Sequence, residues 1–168
     1  SEMCIRGSIN TPAASSASVA ELVFAHLYGG VRFLYSSNRN MPLEGESNFK
    51  GLKKAFAKGL ELRGKTLGII GFGRIGQEVA KIGLGIGMNI IASDKFMEET
   101  NVKVSFATGE SVNVNIKMQS FDHLIENSDF ITLHVPAQKA YVIDAGVFSK
   151  MKKGCLLYTS PSPRDVEE

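Results

Sequence analysis

The chain has 168 residues, 43% of them hydrophobic and 21% charged, with a formal charge of +2 at pH 7. That length supports one domain with a real core, and the composition is that of a globular protein. The near-balanced charge gives no reason to expect nucleic acid or an anionic membrane as partner. No apolar run is long enough to span a bilayer and no signal-peptide pattern opens the chain, so the cytoplasm is the expected compartment. Cys4 and Cys155 do not suggest a disulfide framework.

Ser18-Val19-Ala20-Glu21 has the S-x-x-E form of a capping box and predicts a helix from residue 18 to about Asn38. Val19, Leu22, Val23, Phe24, Leu27, Tyr28, Val31 and Leu34 spread over much of its surface, so burial on more than one side is expected, against a sheet and against a second domain or subunit. Gly29-Gly30 in its middle should cost roughly 1 kcal/mol per glycine relative to alanine, which suggests close approach of another backbone, or else a kink. From Ser36 to Glu61 the chain turns polar and reads as irregular, with Lys50, Lys53, Lys54 and Lys58 as a solvated face.

Lys65 to Ile70 reads as a buried strand, and Gly71-Phe72-Gly73-Arg74-Ile75-Gly76 follows it. Gln77 to Ile82 continues a helix, and Met88 to Ser93 forms a second strand ending in Asp94. This is the layout of a dinucleotide-binding β-α-β unit. Gly71 permits the sharp turn out of the strand, Gly73 lets a pyrophosphate approach the main chain, and Gly76 lets helix and strand pack closely. The helix start near Arg74 offers unpaired N–H groups and a partial positive charge. Asp94 lies 18 residues past Gly76, close to the spacing of a carboxylate that accepts bonds from the adenosine ribose hydroxyls. A 2′-phosphate would be repelled there, which favours NAD over NADP, although Lys95 next door weakens the discrimination.

Beyond Asp94, residues 102–106 and 112–116 alternate apolar and polar around Thr108-Gly109-Glu110 and predict a hairpin whose second arm can join the sheet. Phe121 to Asn127 reads as a short helix, Phe130 to Val135 as a strand stopped by Pro136, and Asp144 as the cap of a last helix to about Lys152. The alternation predicts an α/β fold with a doubly wound parallel sheet of the Rossmann type, truncated relative to a whole domain. His26 is expected in the core and His123 in solvent; His134 ends a strand near the cofactor cleft.

From about Asn10 to Gly154 the sequence resembles the nucleotide-binding domain of the D-isomer-specific 2-hydroxyacid dehydrogenases, most closely the branch acting on 3-phosphoglycerate in serine biosynthesis. The resemblance rests on Asn10-Thr11-Pro12 with Ser18 to Leu22, on Leu62 to Gly76, on Ser128 to Pro136, and on Phe148 to Gly154. It implies that the Arg74 and Ile75 backbone binds the pyrophosphate, that Asp94 binds the ribose, and that Val135 and Pro136 lie along the cofactor. It also implies that the long helix at 18–38 forms a homodimer interface, and that His134 is structural. The hairpin after Asp94 departs from the family, which more often has a short helix there. The family's chemistry is hydride transfer between nicotinamide and the C2 carbon of a small 2-hydroxy or 2-oxo acid, using an arginine, a glutamate and a histidine. That arginine belongs to an Ala-Arg-Gly segment immediately after the strand that follows Gly154, and from there this chain reads Cys155-Leu156-Leu157-Tyr158-Thr159-Ser160-Pro161-Ser162-Pro163-Arg164-Asp165, with no Ala-Arg-Gly. No catalytic residue is therefore assigned, and no metal site. The alternatives to an enzyme are an NAD-binding module without turnover and a corepressor-like NAD sensor of the same fold.

Cys155 to Asp165 also resembles the forward-frame translation of a transposase-type sequencing-library adapter, and Ser1 to Ser8 a translation of its complement. The expectation is that residues 1–8 and 155–168 are foreign ends around an NAD-binding segment at 9–154. Residues 155–158 are still apolar enough to occupy the next strand, and an exposed sheet edge with uncovered apolar helix faces should make the chain prone to aggregate.

Overall fold

The computed structural model describes residues 15–136 and 141–159. Asn10-Thr11-Pro12, Cys4, Arg164 and most of the two ends expected to be foreign lie outside the described residues. The elements run α1 (Ser16–Val31), α2 (Leu34–Phe56), β1 (Thr66–Ile70), α3 (Arg74–Gly85), β2 (Asn89–Ser93), β3 (Glu99–Ser105), β4 (Ser111–Lys117), α4 (Phe121–Asn127), β5 (Phe130–Leu133), α5 (Ala145–Lys150) and β6 (Leu156–Thr159).

β1, β2, β5 and β6 form one parallel sheet in the order β2-β1-β5-β6. Strands buried on both faces need helices on both, and the alternation of side chains along each strand supplies two cores. Leu67, Ile69 and Phe130 point to the side of α1 and α3, where they meet Ala20, Val23, Phe24, Leu27, Val79 and Ala80. Ile70 and Ile131 point to the other side, where Leu124 and Ile125 of α4 are fully buried and Val147 of α5 packs at the margin. The fold is thus α/β and doubly wound, as the strand–helix alternation predicts. β6 occupies the strand position after Gly154, as its apolar run predicts, and Tyr158 stacks on His26 at a centroid separation of 5.2 Å.

Several expectations are corrected. The helix expected from 18 to 38 starts earlier, at Ser16, and its continuation breaks at Arg32-Phe33, where Phe33 takes a left-handed φ of 57°. Ser18 lies inside α1 rather than capping it, and Ser15 at the N-cap makes no side-chain capping bond. The polar stretch after Ser36 is not irregular: it is mostly α2, with Pro42 inside and a non-helical Asn48 marking a kink. Only Leu52 of α2 is buried, so no apolar stripe announces the helix. The second hairpin arm does not join the main sheet. β3 and β4 pair only with each other, and Met118 beyond them makes a single parallel bridge to Ala92 of β2. Val102 and Ile116 instead bury on the α3 side of the core. His26 is exposed rather than packed in the core: it lies at the flank of the buried stripe of α1, where its ring stacks on Tyr158.

Among the described residues Gly29 and Gly30 meet no other backbone: a Cβ at Gly29 would touch nothing within 4 Å, and one at Gly30 only Leu156 Cδ1 at 4.0 Å. Nor is α1 buried all round, since Leu22 (46%) and Tyr28 (41%) stay exposed. Among the described residues no helix is long and apolar enough to cross a membrane.

Candidate functional site

β1 is followed by α3 and then by β2 on one side of it, while β5 lies on its other side. The chain therefore reverses its winding between β1 and β5, and a crevice opens at their carboxyl ends, the usual ligand site of such sheets. Gly71 stands at that point. Its φ is +86°, and a Cβ there would lie 2.7 Å from His134 O and 2.8 Å from Val135 Cγ1. Both the turn and the closeness of the β5 strand end require glycine.

Gly73 is the N-cap of α3 and no side chain caps that helix. A Cβ at Gly73 would meet nothing within 4 Å, so the surface over the helix start is open. Arg74 is exposed and Ile75 half-buried, and their main chain forms the first turn. Among the described residues no side chain satisfies the donors at the helix start, which lie next to the positive end of its dipole. Gly76 is closed in: a Cβ would press on the Gly71 carbonyl oxygen and lie 3.2 Å from Ile69 Cγ2. Open space above Gly73 and contact beneath Gly76 form a cradle for an anion.

Asp94 follows the end of β2. Its Oδ2 accepts the Phe72 N–H at 2.7 Å and its Oδ1 accepts the Phe96 N–H at 2.9 Å. The Ser93 carbonyl accepts the Gly71 N–H at 2.9 Å, and Gln77 Nε2 donates to the Phe72 carbonyl at 3.2 Å. Phe72 itself is fully buried. The motif pattern selects Gly71, Gly73, Gly76 and Asp94; it does not select Gln77, whose link to the loop follows only from the turn into α3.

Val135 is half-buried beside Gly71 and Pro136 is exposed at the strand end. All eight expected cofactor-site residues therefore cluster around the crevice: Gly71, Gly73, Arg74, Ile75, Gly76, Asp94, Val135 and Pro136. His134 faces Thr132, with Nε2 3.0 Å from Oγ1, and burial pushes its pKa down to about 4. A neutral imidazole bonded to a threonine under the crevice suits a structural role better than proton transfer. At the opposite end of the sheet, burial pushes the Asp129 carboxyl up, but the Thr66 N–H and Lys152 outweigh it and hold it below its ordinary value.

Two surface clefts lie elsewhere. One of about 470 Å³ runs between Ile90, Val114, Lys117 and His123, and one of about 400 Å³ lies beside Arg32 and Arg63. Neither touches the glycine loop, and the loop's chemistry decides in its favour. Among the described residues no group of three or more His, Cys, Asp or Glu is placed to hold a metal ion.

The family model for the D-isomer specific 2-hydroxyacid dehydrogenase NAD binding domain matches residues 24–159. Hydroxypyruvate reductase of Thermotoga maritima is 38% identical over 162 residues, 95% of this chain and 47% of that protein. D-3-phosphoglycerate dehydrogenase of Archaeoglobus fulgidus is 35% identical over 162 residues, 95% of this chain and 28% of that protein. Among solved structures, NAD-dependent formate dehydrogenase from Staphylococcus aureus in complex with NAD matches with a TM-score of 0.65 and 30% identity, covering 87% of this chain and 40% of that one. NAD+-bound 3-phosphoglycerate dehydrogenase of Entamoeba histolytica matches with a TM-score of 0.61 and 28% identity, covering 90% and 39%. The chain spans less than half the length of each of these relatives. This chain belongs to the D-isomer specific 2-hydroxyacid dehydrogenase family and carries its NAD-binding domain.

Proposed function

We propose that this chain is the cofactor-binding part of an NAD-dependent oxidoreductase acting on the CH–OH group of a D-2-hydroxy acid, with 3-phosphoglycerate as the substrate of the whole protein. The observation that carries it is the open, uncapped start of α3 at the β1/β5 switch point, with Asp94 beside it. The residues fit the cofactor. Main-chain N–H groups of Arg74 and Ile75, reached over Gly73, hold the pyrophosphate; Asp94, whose oxygens keep spare lone pairs, accepts from the adenosine ribose. Gly71 and Gly76 shape the loop, and Val135 and Pro136 line the path of the cofactor. NAD supplies a hydride acceptor at the substrate carbon, and this chain's residues bind and orient it.

The choice of 3-phosphoglycerate is supported by the several phosphoglycerate dehydrogenases among the relatives, against hydroxypyruvate reductase, D-lactate and formate dehydrogenases in the same set. A second reading, an NAD-binding module without turnover, is favoured by the sequence after β6 (Leu156–Thr159), which reads Ser160-Pro161-Ser162-Pro163-Arg164 and holds no Ala-Arg-Gly. Incubating the chain with NAD and 3-phosphoglycerate tests the second reading: NAD binding without NADH formation is its expected result, and turnover refutes it.

The reading attaches to residues 9–154, with 1–8 and 155–168 as foreign ends and the cytoplasm as compartment. The genomic reading frame around the segment tests the ends: an Ala-Arg-Gly strand after Gly154 is the expected result, and an unbroken Cys155-Leu156-Leu157-Tyr158 contradicts it. We also assign a homodimer face to residues 18–38, where Leu22, Tyr28, Leu34 and Tyr35 are exposed. Sedimentation that shows a monomer at all concentrations overturns that assignment.

A further inference from the structure

We propose that Asp94 and Gln77 are positioning residues that hold the two peptide units flanking Phe72 and set the glycine loop in its diphosphate-binding shape before any cofactor arrives. This rests on reading the loop as the diphosphate site. It goes beyond the ribose contact, because it gives Asp94 a second task and gives Gln77 its first.

A residue between two glycines has little to hold its main chain. Gly71 and Gly73 contribute no side-chain contacts, and glycine has the widest range of backbone conformations to lose. The main chain of Phe72 is nevertheless held on both sides, through the peptide unit it shares with Gly71 and through the one it shares with Gly73. Its N–H donates to Asp94 Oδ2 at 2.7 Å, and its carbonyl accepts from Gln77 Nε2 at 3.2 Å. The first bond is charge-assisted and short, the stronger class. The neighbouring Gly71 N–H is held by the Ser93 carbonyl at 2.9 Å, so the loop is stitched to the end of β2 at consecutive residues.

Asp94 is held in turn by the Phe96 N–H at 2.9 Å on its other oxygen. Gln77 sits in the first turn of α3, so its pull ties the loop to the same helix start that faces the diphosphate. The buried Phe72 ring supplies the apolar anchor beneath. These contacts form within the chain alone and need no ligand. A loop ordered in advance loses less conformational entropy on binding.

The test compares adenosine 5′-diphosphate with its 2′,3′-dideoxy analogue, which keeps adenine and diphosphate but lacks the hydroxyls that Asp94 would bind. Calorimetric titration of the 168-residue chain should show both ligands binding, the analogue more weakly. Asp94→Ala and Gln77→Ala should each weaken the dideoxy analogue by about tenfold, the loss of one net hydrogen bond to the loop. Asp94→Asn keeps one amide oxygen acceptor and should fall between wild type and Asp94→Ala; it decides the matter if the alanine variant does not fold. Unchanged analogue affinity in Gln77→Ala and Asp94→Asn overturns the clamp while leaving the diphosphate site standing. Failure of the wild-type chain to bind either ligand overturns the underlying site reading instead.

Discussion

Gly71 and Gly76 fail on substitution for different reasons. At Gly71 the backbone itself, at φ +86°, excludes other residues. At Gly76 the backbone is helical and only space is missing, so Gly76→Ala should destabilise by about 1–3 kcal/mol through overpacking against the Gly71 carbonyl. Urea melts of the variant check this, and an unchanged midpoint contradicts it. His134 sets a pH dependence. Its folded pKa of about 4 lies below the ordinary 6.5, so the unfolded chain binds the extra proton between those values. Stability is then complete above pH 6.5 and is lost as pH falls through that window. For this group alone the loss at pH 5 relative to pH 7 is about 2 kcal/mol. A His134→Gln variant should lack that slope, and an identical slope in both proteins contradicts the account. Asp129, held below its ordinary value, adds loss only at still lower pH. The ribose-type spacing of Asp94 was legible from sequence. Its bond to the Phe72 N–H was not, because a contact across 22 residues leaves no local pattern.

Among the elements, β1, α3, β2, α4, β5 and the cap of α5 could be read directly, since apolar runs, turn residues and the Asp144 cap mark them, while the Ser120 cap of α4 is seen only in the structure. Asp144 Oδ1 accepts the Val147 N–H at 2.8 Å, as its position before the helix predicts. α2 could not be read. Pro42, Gly45 and Asn48 are breakers by propensity, and a helix that buries only Leu52 leaves no stripe to count. Its side chains should divide accordingly. Leu43→Ser, at a position 82% exposed, should change stability by less than about 0.5 kcal/mol. Leu52→Ala, at 6% exposed, should cost about 2 kcal/mol or more. Equal costs at the two positions would show that α2 packs differently. The hairpin was legible as a hairpin but not in its placement. Alternation tells which residues share a face, and Val102 and Ile116 could have met the sheet as readily as α3.

At the scale of the whole molecule, the sheet has outer strands at β2 and β6, and apolar side chains stand exposed along α1 and α2, including Leu22, Leu34, Tyr35 and Phe49. Unpaired edges and uncovered apolar surface favour association. The purified chain should therefore scatter light increasingly with concentration, and a sharp two-state melt of soluble monomer contradicts that. The central claim is narrower: the loop from Gly71 to Gly76 binds NAD across the open start of α3. Gly73→Asp tests it most directly. The position is an N-cap with an ordinary φ of −68° and free space around it, so aspartate should leave the fold intact or stabilise α3. Its carboxylate, however, would stand where the proposed site places the pyrophosphate. Titration with NAD should give saturable binding by the wild-type chain and a loss of at least about tenfold in Gly73→Asp, an unfavourable change of about 1.4 kcal/mol or more, with the melting temperature no lower. Equal NAD affinity in the two proteins, or no binding by the wild type, would contradict the account.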